Sequence, residues 1–100
     1  MKMHNPPHPG SLIADNIAAL NLTLREVAAA LDVSPSTLQR ITTEKIAISP
    51  EMAVRLSTVI GSTPEFWLRM QDAHSLYHAA QSVDVTRLKP LNATHSNAVA

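Results

Sequence analysis

Five side chains within residues 34 to 40, Ser34, Ser36, Thr37, Gln39 and Arg40, have the types and spacing to read the edge of a nucleic-acid duplex. At helical periodicity Leu38 and Ile41 turn inward, which leaves these five and Thr43 pointing outward together. A guanidinium matches the two acceptors of a guanine in the major groove, and a carboxamide matches the donor and acceptor of an adenine. Arg40 and Gln39 are therefore the natural base readers. The hydroxyls of Ser34, Ser36, Thr37 and Thr43 are short donors suited to phosphate oxygens or to close approach. The chemistry is recognition by hydrogen bonding, with no bond made or broken.

Such a face needs a support, and residues 23 to 43, TLREVAAALDVSPSTLQRITT, supply one. Thr23 caps a first helix and Glu26, three residues on, returns the bond to the Thr23 amide, a reciprocal capping box. Leu24, Val27, Ala28 and Leu31 share one face of that helix. Asp32 then stands where the chain turns left-handed, a conformation that Asp and Asn tolerate better than branched residues. Ser34 caps the second helix and Pro35 fits its first position. Ala28 is small where the second helix must cross. Two helices over a tight turn, with the second presenting polar groups, are the geometry that enters the major groove. Thr23 at the head of the first helix and Lys45 in the loop after the second complete the candidate DNA contacts.

The rest of the chain reads as helices that prop this pair. Pro6, Pro7 and Pro9 make residues 1 to 9 an extended arm, mobile until docked, with a helix from about Gly10 whose apolar face is Leu12, Ile13, Ile17 and Leu20. Asn21 is its stop. After the connection EKIAI, the cap, proline and acidic residue Ser49, Pro50, Glu51 open a fourth helix lined by Met52, Leu56, Val59 and Ile60 and ended by Gly61. The pattern recurs at Thr63, Pro64, Glu65, opening a longer helix to about Gln81 with Phe66, Met70, Ala73 and Tyr77 as its inward stripe. The expected fold is all-α, five helices over residues 10 to 81. Residues 82 to 100 form an extended tail, in which the alternation over 83 to 88 allows a short strand if a partner pairs with it. Beyond Pro90 the small, polar composition predicts disorder.

Composition narrows the function. In 100 residues, 8 Lys and Arg balance 8 Asp and Glu, and there are 2 glycines and single Phe, Trp and Tyr residues, which favours helices over strands. The absence of cysteine excludes a disulfide framework, a zinc finger and a thiol nucleophile. The start, MKMHNPPHPG, lacks the apolar core of a secretory leader, and no apolar run approaches the roughly 20 residues that span a bilayer. The expected location is the cytoplasm. There is no glycine-rich phosphate loop, no nucleophile with a general base and no carboxylate pair in a cleft, so an enzyme is not expected, and neither is a cofactor. Zero net charge opposes tight DNA binding, because Lys and Arg supply most non-specific affinity. Even residues 23 to 45 balance Arg25, Arg40 and Lys45 against Glu26, Asp32 and Glu44. Function then requires a dimer on a palindromic site, with half-sites about one helical turn, roughly 34 Å, apart.

Four segments carry a family resemblance: NPPHPG at 5 to 10, the helix pair itself, ISPEMAVRLSTVIGSTPEFWLRMQDAHSLY at 48 to 77, and VDVTRL at 83 to 88. On these the chain resembles the HigA family of antitoxins, or addiction-module antidote proteins, within the lambda-repressor-like helix-turn-helix class. The likeness covers residues 5 to about 81. It implies a cytoplasmic homodimer that docks on a palindromic operator, neutralises a RelE-like ribonuclease toxin (HigB) and represses the operon encoding both, with toxin as co-repressor. Ser34, Ser36, Thr37, Gln39 and Arg40 occupy the exposed positions of the matching helix, and the toxin surface is assigned to the first helix and the N-terminal arm. The chain departs from the family pattern at Asp32, where glycine is usual, and at Thr43, Glu44, Lys45, where Asn-Gly and a basic residue are usual. Glu44 opposes the helix dipole and repels phosphate. Either its loop stands away from the duplex or operator affinity is modest.

Other readings are weaker. A stand-alone transcriptional regulator, or a protein-binding module with little DNA affinity, fits the same residues. His74 and His78, four apart, have the spacing of a metal pair but lack a third ligand, and His4 and His8 are separated by prolines. Trp67 fits the core or an interface anchor. Arg55 and Arg69 read as surface groups or partners of nearby carboxylates.

Overall fold

Each of the five α-helices begins at a residue that turns its side chain back onto the helix's own first turn. A computed structural model describes residues 5–91. Its helices are α1 Pro9–Ala19, α2 Leu24–Leu31, α3 Pro35–Thr42, α4 Pro50–Val59 and α5 Pro64–Ser82. Thr23, Ser34, Ser49 and Thr63 each accept the amide of the third residue on, all at 3.1 Å, and His8 accepts that of Gly10 at 2.9 Å. Proline stands at the first position of α1, α3, α4 and α5, where its missing N–H has no intrahelical partner to lose. The Thr23–Glu26 capping box is complete, with the Thr23 amide donating to Glu26 Oε1 at 2.8 Å.

Three helices end in the same way. Asn21, Asp32 and Glu44 adopt positive φ values of 57°, 59° and 64° after α1, α2 and α3. The residue after each donates its amide to the carbonyl five back: Leu22 to Ile17, Val33 to Ala28 and Lys45 to Arg40. These are Schellman closures, which satisfy the last carbonyls while reversing the chain.

The core lies where α1, α2 and α4 meet α3 and α5, and is built on Ile13, Leu31, Leu38, Ile41, Leu56 and Trp67, each at most 1% exposed. Ala28 is fully buried where α2 meets α3, so its small size serves the crossing. Two polar groups of α4 and α5 tie loops to this core. The Arg55 guanidinium donates to the carbonyls of Leu31 (2.9 Å) and Asp32 (3.2 Å), and lies 3.7 Å from the Asp32 carboxylate. It therefore clamps the turn between α2 and α3. Buried Gln71 accepts the Ile48 amide at 2.9 Å and donates to Ser75 at 2.9 Å.

The structure corrects several expectations. The inward residues of α5 are Trp67 and Gln71, whereas Phe66 and Ala73 are exposed and Met70 and Tyr77 half-buried. The stripe is rotated by one residue, because Trp67 fills the core with its indole N–H donating to the Gly61 carbonyl at 2.9 Å. Leu20 and Val59 are 61% and 39% exposed rather than packed. The start of α1 is not loose, since His8, Pro9 and Gly10 are all buried. Residues 83 to 88 hold a 3-10 turn, Val85–Arg87, and no strand in this single chain. Residues 1 to 4, and the disorder expected beyond Leu91, lie outside the described residues. Among the described residues, no helix is long and apolar enough to cross a membrane.

Candidate nucleic-acid interface

Leu38 and Ile41 anchor α3 inward at 0% and 1% exposure, and this fixes which side of the helix faces out. Ser34, Ser36, Gln39, Arg40 and Thr43 are exposed, and Thr37 is half-buried. All but Thr37 stand as exposed as the sequence reading expects. Neither the Arg40 guanidinium nor the Gln39 carboxamide has a hydrogen-bond partner among the described residues, so both offer their full donor and acceptor sets outward.

The hydroxyls are less free than their exposure suggests. Ser34 donates to Thr37 Oγ1 at 2.8 Å while accepting the Thr37 amide, and Ser36 Oγ lies 3.2 Å from Ser34 Oγ. That chain leaves the Thr37 hydroxyl hydrogen as the outward donor and polarises it. Thr43 donates to the Gln39 carbonyl at 2.7 Å, and Thr42 to the same oxygen at 3.0 Å. The Thr43 hydroxyl is thus committed to closing α3, and its reading as a phosphate donor weakens. Thr23 lies exposed at the head of α2, and Lys45 is exposed with its backbone amide closing α3 at 2.8 Å to the Arg40 carbonyl.

Glu44 takes the left-handed position of that closure. An L-residue there costs about 1 to 2 kcal/mol, against roughly 0.5 to 1 kcal/mol for the extra unfolded-state freedom of glycine. Glu44→Gly is therefore expected to raise stability by about 0.5 to 1 kcal/mol in urea unfolding, since both terms act on one residue. It also removes the carboxylate nearest the end of the polar face. A lower urea midpoint would show that the Glu44 side chain holds the loop.

A polar helix delivered outward by a second helix across a left-handed turn defines a helix-turn-helix protein. The chain belongs to the helix-turn-helix family HTH_3, which matches residues 14–68. It is 50% identical over 91 residues to an Escherichia coli K12 HTH-type transcriptional regulator, YddM, covering 91% of this chain and 97% of the relative. Among solved structures it is similar to an addiction module antidote protein of the HigA family from Coxiella burnetii, with TM-score 0.79 and 27% identity over 87% of this chain and 99% of that one. It is also similar to the Pseudomonas aeruginosa antitoxin HigA with the higBA promoter, with TM-score 0.75 and 29% identity over 87% and 99% of the two chains. The five-helix, lambda-repressor-like architecture is that of these antitoxins.

Arg55 meets a nearby carboxylate, Asp32, as its sequence reading allows, but sequence reasoning missed how Arg55, Gln71 and His8 position this face. Arg55 holds the turn from α4, Gln71 holds the loop at Ile48 from α5, and His8 caps α1 beneath the end of α3. Only His8 left a signal. His8-Pro9 repeats the cap-proline pattern of Ser34-Pro35, Ser49-Pro50 and Thr63-Pro64.

Proposed function

We propose that this chain is the antitoxin of a toxin-antitoxin module: a homodimer that lays α3 in successive major grooves of a palindromic operator and represses the operon encoding itself and a RelE-like ribonuclease toxin of the HigB type. The observation that carries the reading is the Gln39 and Arg40 pair, without side-chain hydrogen-bond partners among the described residues, on the exposed side of a helix anchored by Leu38 and Ile41. In this reading Arg40 and Gln39 contact bases, and Ser36, Thr37, Lys45 and Thr23 contact the sugar-phosphate backbone, with Ser34 and Thr43, whose hydroxyl hydrogens are already donated within the helix, contributing less. The HigA neighbour solved with promoter DNA supports the same use of the fold.

Self-association is supported by the second half of α5. Every residue from 78 to 91 is exposed, and Leu76 and Val83 present 66% and 50% of their surface to solvent. The toxin contact fits the first helix better than the arm, whose His8 is buried. Ile17, Leu20, Leu22, Val27 and Val59 line an apolar hollow of about 280 Å³ beside α1.

Operator binding by a dimer that neutralises about two phosphates, through Lys45 of each copy, has a slope of log affinity against log salt of roughly −2. Fluorescence anisotropy with a duplex from the chain's own promoter measures it. A slope near zero would contradict backbone neutralisation by these residues. The relative named as a transcriptional regulator favours a second reading, a regulator with no toxin. Co-purification with the product of the adjacent reading frame decides between them: a basic partner of about 90 residues supports the antitoxin, and its absence supports the stand-alone regulator.

A further inference from the structure

Of the five α-helix caps, only His8 is of a residue type whose ordinary titration lies near neutrality. Its side chain is buried, with the residue 3% exposed, and its Nδ1 accepts the Gly10 amide at 2.9 Å. A ring nitrogen that accepts an N–H carries no proton, so the imidazole is neutral with its hydrogen on Nε2. A proton at Nδ1 would set a donor against a donor and remove the cap.

The cap sits under the recognition helix. A Cβ placed on Gly10 would overlap the Ile41 carbonyl oxygen and lie 2.9 Å from the carbonyl carbon, so the start of α1 rests directly on the last turn of α3. The His8 ring also meets two other elements. From α5, His74 packs edge-on against it, with ring centres 4.9 Å apart and planes at 85°. His74 is itself held by the Pro6 carbonyl at 3.0 Å, and the tilted ring of His78 lies with its centre 4.4 Å away. From the loop that closes α3, the Glu44 carboxylate and the Ile46 backbone act on the ring. One side chain thus joins α1, the end of α3 and α5.

We propose that neutral His8 is a positioning residue for the DNA-reading face, locking α1 beneath the last turn of α3, and that its protonation on mild acidification loosens that turn and weakens operator binding. The inference rests on the operator reading given under Proposed function. Burial and the neighbouring His74 hold the ring below its ordinary value of 6.5, against the opposing pull of Glu44 and the Ile46 backbone. The unfolded chain therefore takes up this proton at higher pH than the folded one. The stability that His8 provides is complete above pH 6.5 and drains away as pH falls below it. Acidification makes the net charge of a protein more positive, which by itself strengthens binding to a polyanion. A loss of binding is thus opposite in sign to the bulk electrostatic effect.

The test compares the full-length protein with His8→Asn, since asparagine caps a helix and does not titrate. Anisotropy with the promoter duplex is read at fixed ionic strength between about pH 7.5 and pH 5.5, the span over which an imidazole changes charge. Wild type is expected to lose about fivefold or more in affinity, a coupling of ordinary size between two sites, while His8→Asn stays level or gains. Nitrogen NMR of the imidazole at the upper pH is expected to show an unprotonated Nδ1. Parallel pH profiles, or a proton on Nδ1, would overturn the proposal and leave the operator reading standing. No specific binding by either protein at the upper pH would overturn the operator reading and the proposal together. If His8→Asn does not fold, exchange of the Gly10 amide in wild type decides: protection lost on acidification ahead of the α4 amides supports the latch, and loss in step with them refutes it.

Discussion

Arg40→Ala is expected to weaken operator binding by about 30-fold or more, because each bidentate contact with a guanine is worth about 1 to 3 kcal/mol and a dimer uses two. The side chain is exposed and makes no hydrogen bond within the described residues, so its removal leaves the helix and its closure intact. The Arg40 carbonyl, which accepts the Lys45 amide, belongs to the backbone and survives the substitution. Affinity should therefore fall with little change in melting temperature, and discrimination should relax at one base pair of each half-site. Unchanged binding to an inverted-repeat promoter fragment would contradict the assignment of α3 as the reading helix.

Leu38→Ala has the opposite signature. Leu38 is fully buried between the polar face and the rest of the molecule, and its truncation leaves a cavity costing about 2 to 5 kcal/mol. Small domains hold only about 5 to 15 kcal/mol in total, so the variant should melt far earlier and lose binding by unfolding rather than by losing a contact. Chemical unfolding with and without duplex separates the two cases. Saturating DNA should restore most of the folded population of Leu38→Ala, by mass action on the native state. A melting curve unchanged by the substitution would contradict the packing of α3 on its inner face.

Local chemistry explains how much of this was legible. Thr23, Ser34, Ser49 and Thr63 announce their helices because a capping hydroxyl and the proline or acidic residue beside it act within one turn of chain. Asp32 was legible for the same reason, and its φ of 59° bears out the left-handed turn. The inward and outward sides of α2 and α3 followed from periodicity, since Val27, Leu31, Leu38 and Ile41 have no large apolar rivals at adjacent positions. α5 was misread where such a rival exists. Phe66 and Trp67 are neighbours in sequence and meet edge to face at 5.6 Å, and hydropathy alone does not say which one enters the core. The choice is made by the indole N–H, which finds the Gly61 carbonyl, and by Gln71 one turn on, a buried amide that periodicity counts as surface. Leu20 and Val59 failed for a related reason. They continue apolar stripes past the point where a neighbouring helix covers them, so the pattern persists where the burial stops. The contacts of Arg55 with the turn after α2, and of His8 with His74, span distant segments and leave no local pattern of partners to read.

The most direct test of the central claim, that the outward side of α3 meets DNA, is an NMR titration of the isotopically labelled protein with a duplex from its own promoter. Amide shifts are expected to concentrate in residues 34 to 45 and at Thr23, with the largest side-chain changes at Gln39 and Arg40. Shifts confined to α5 or to the hollow beside α1, with residues 34 to 45 unmoved, would contradict it.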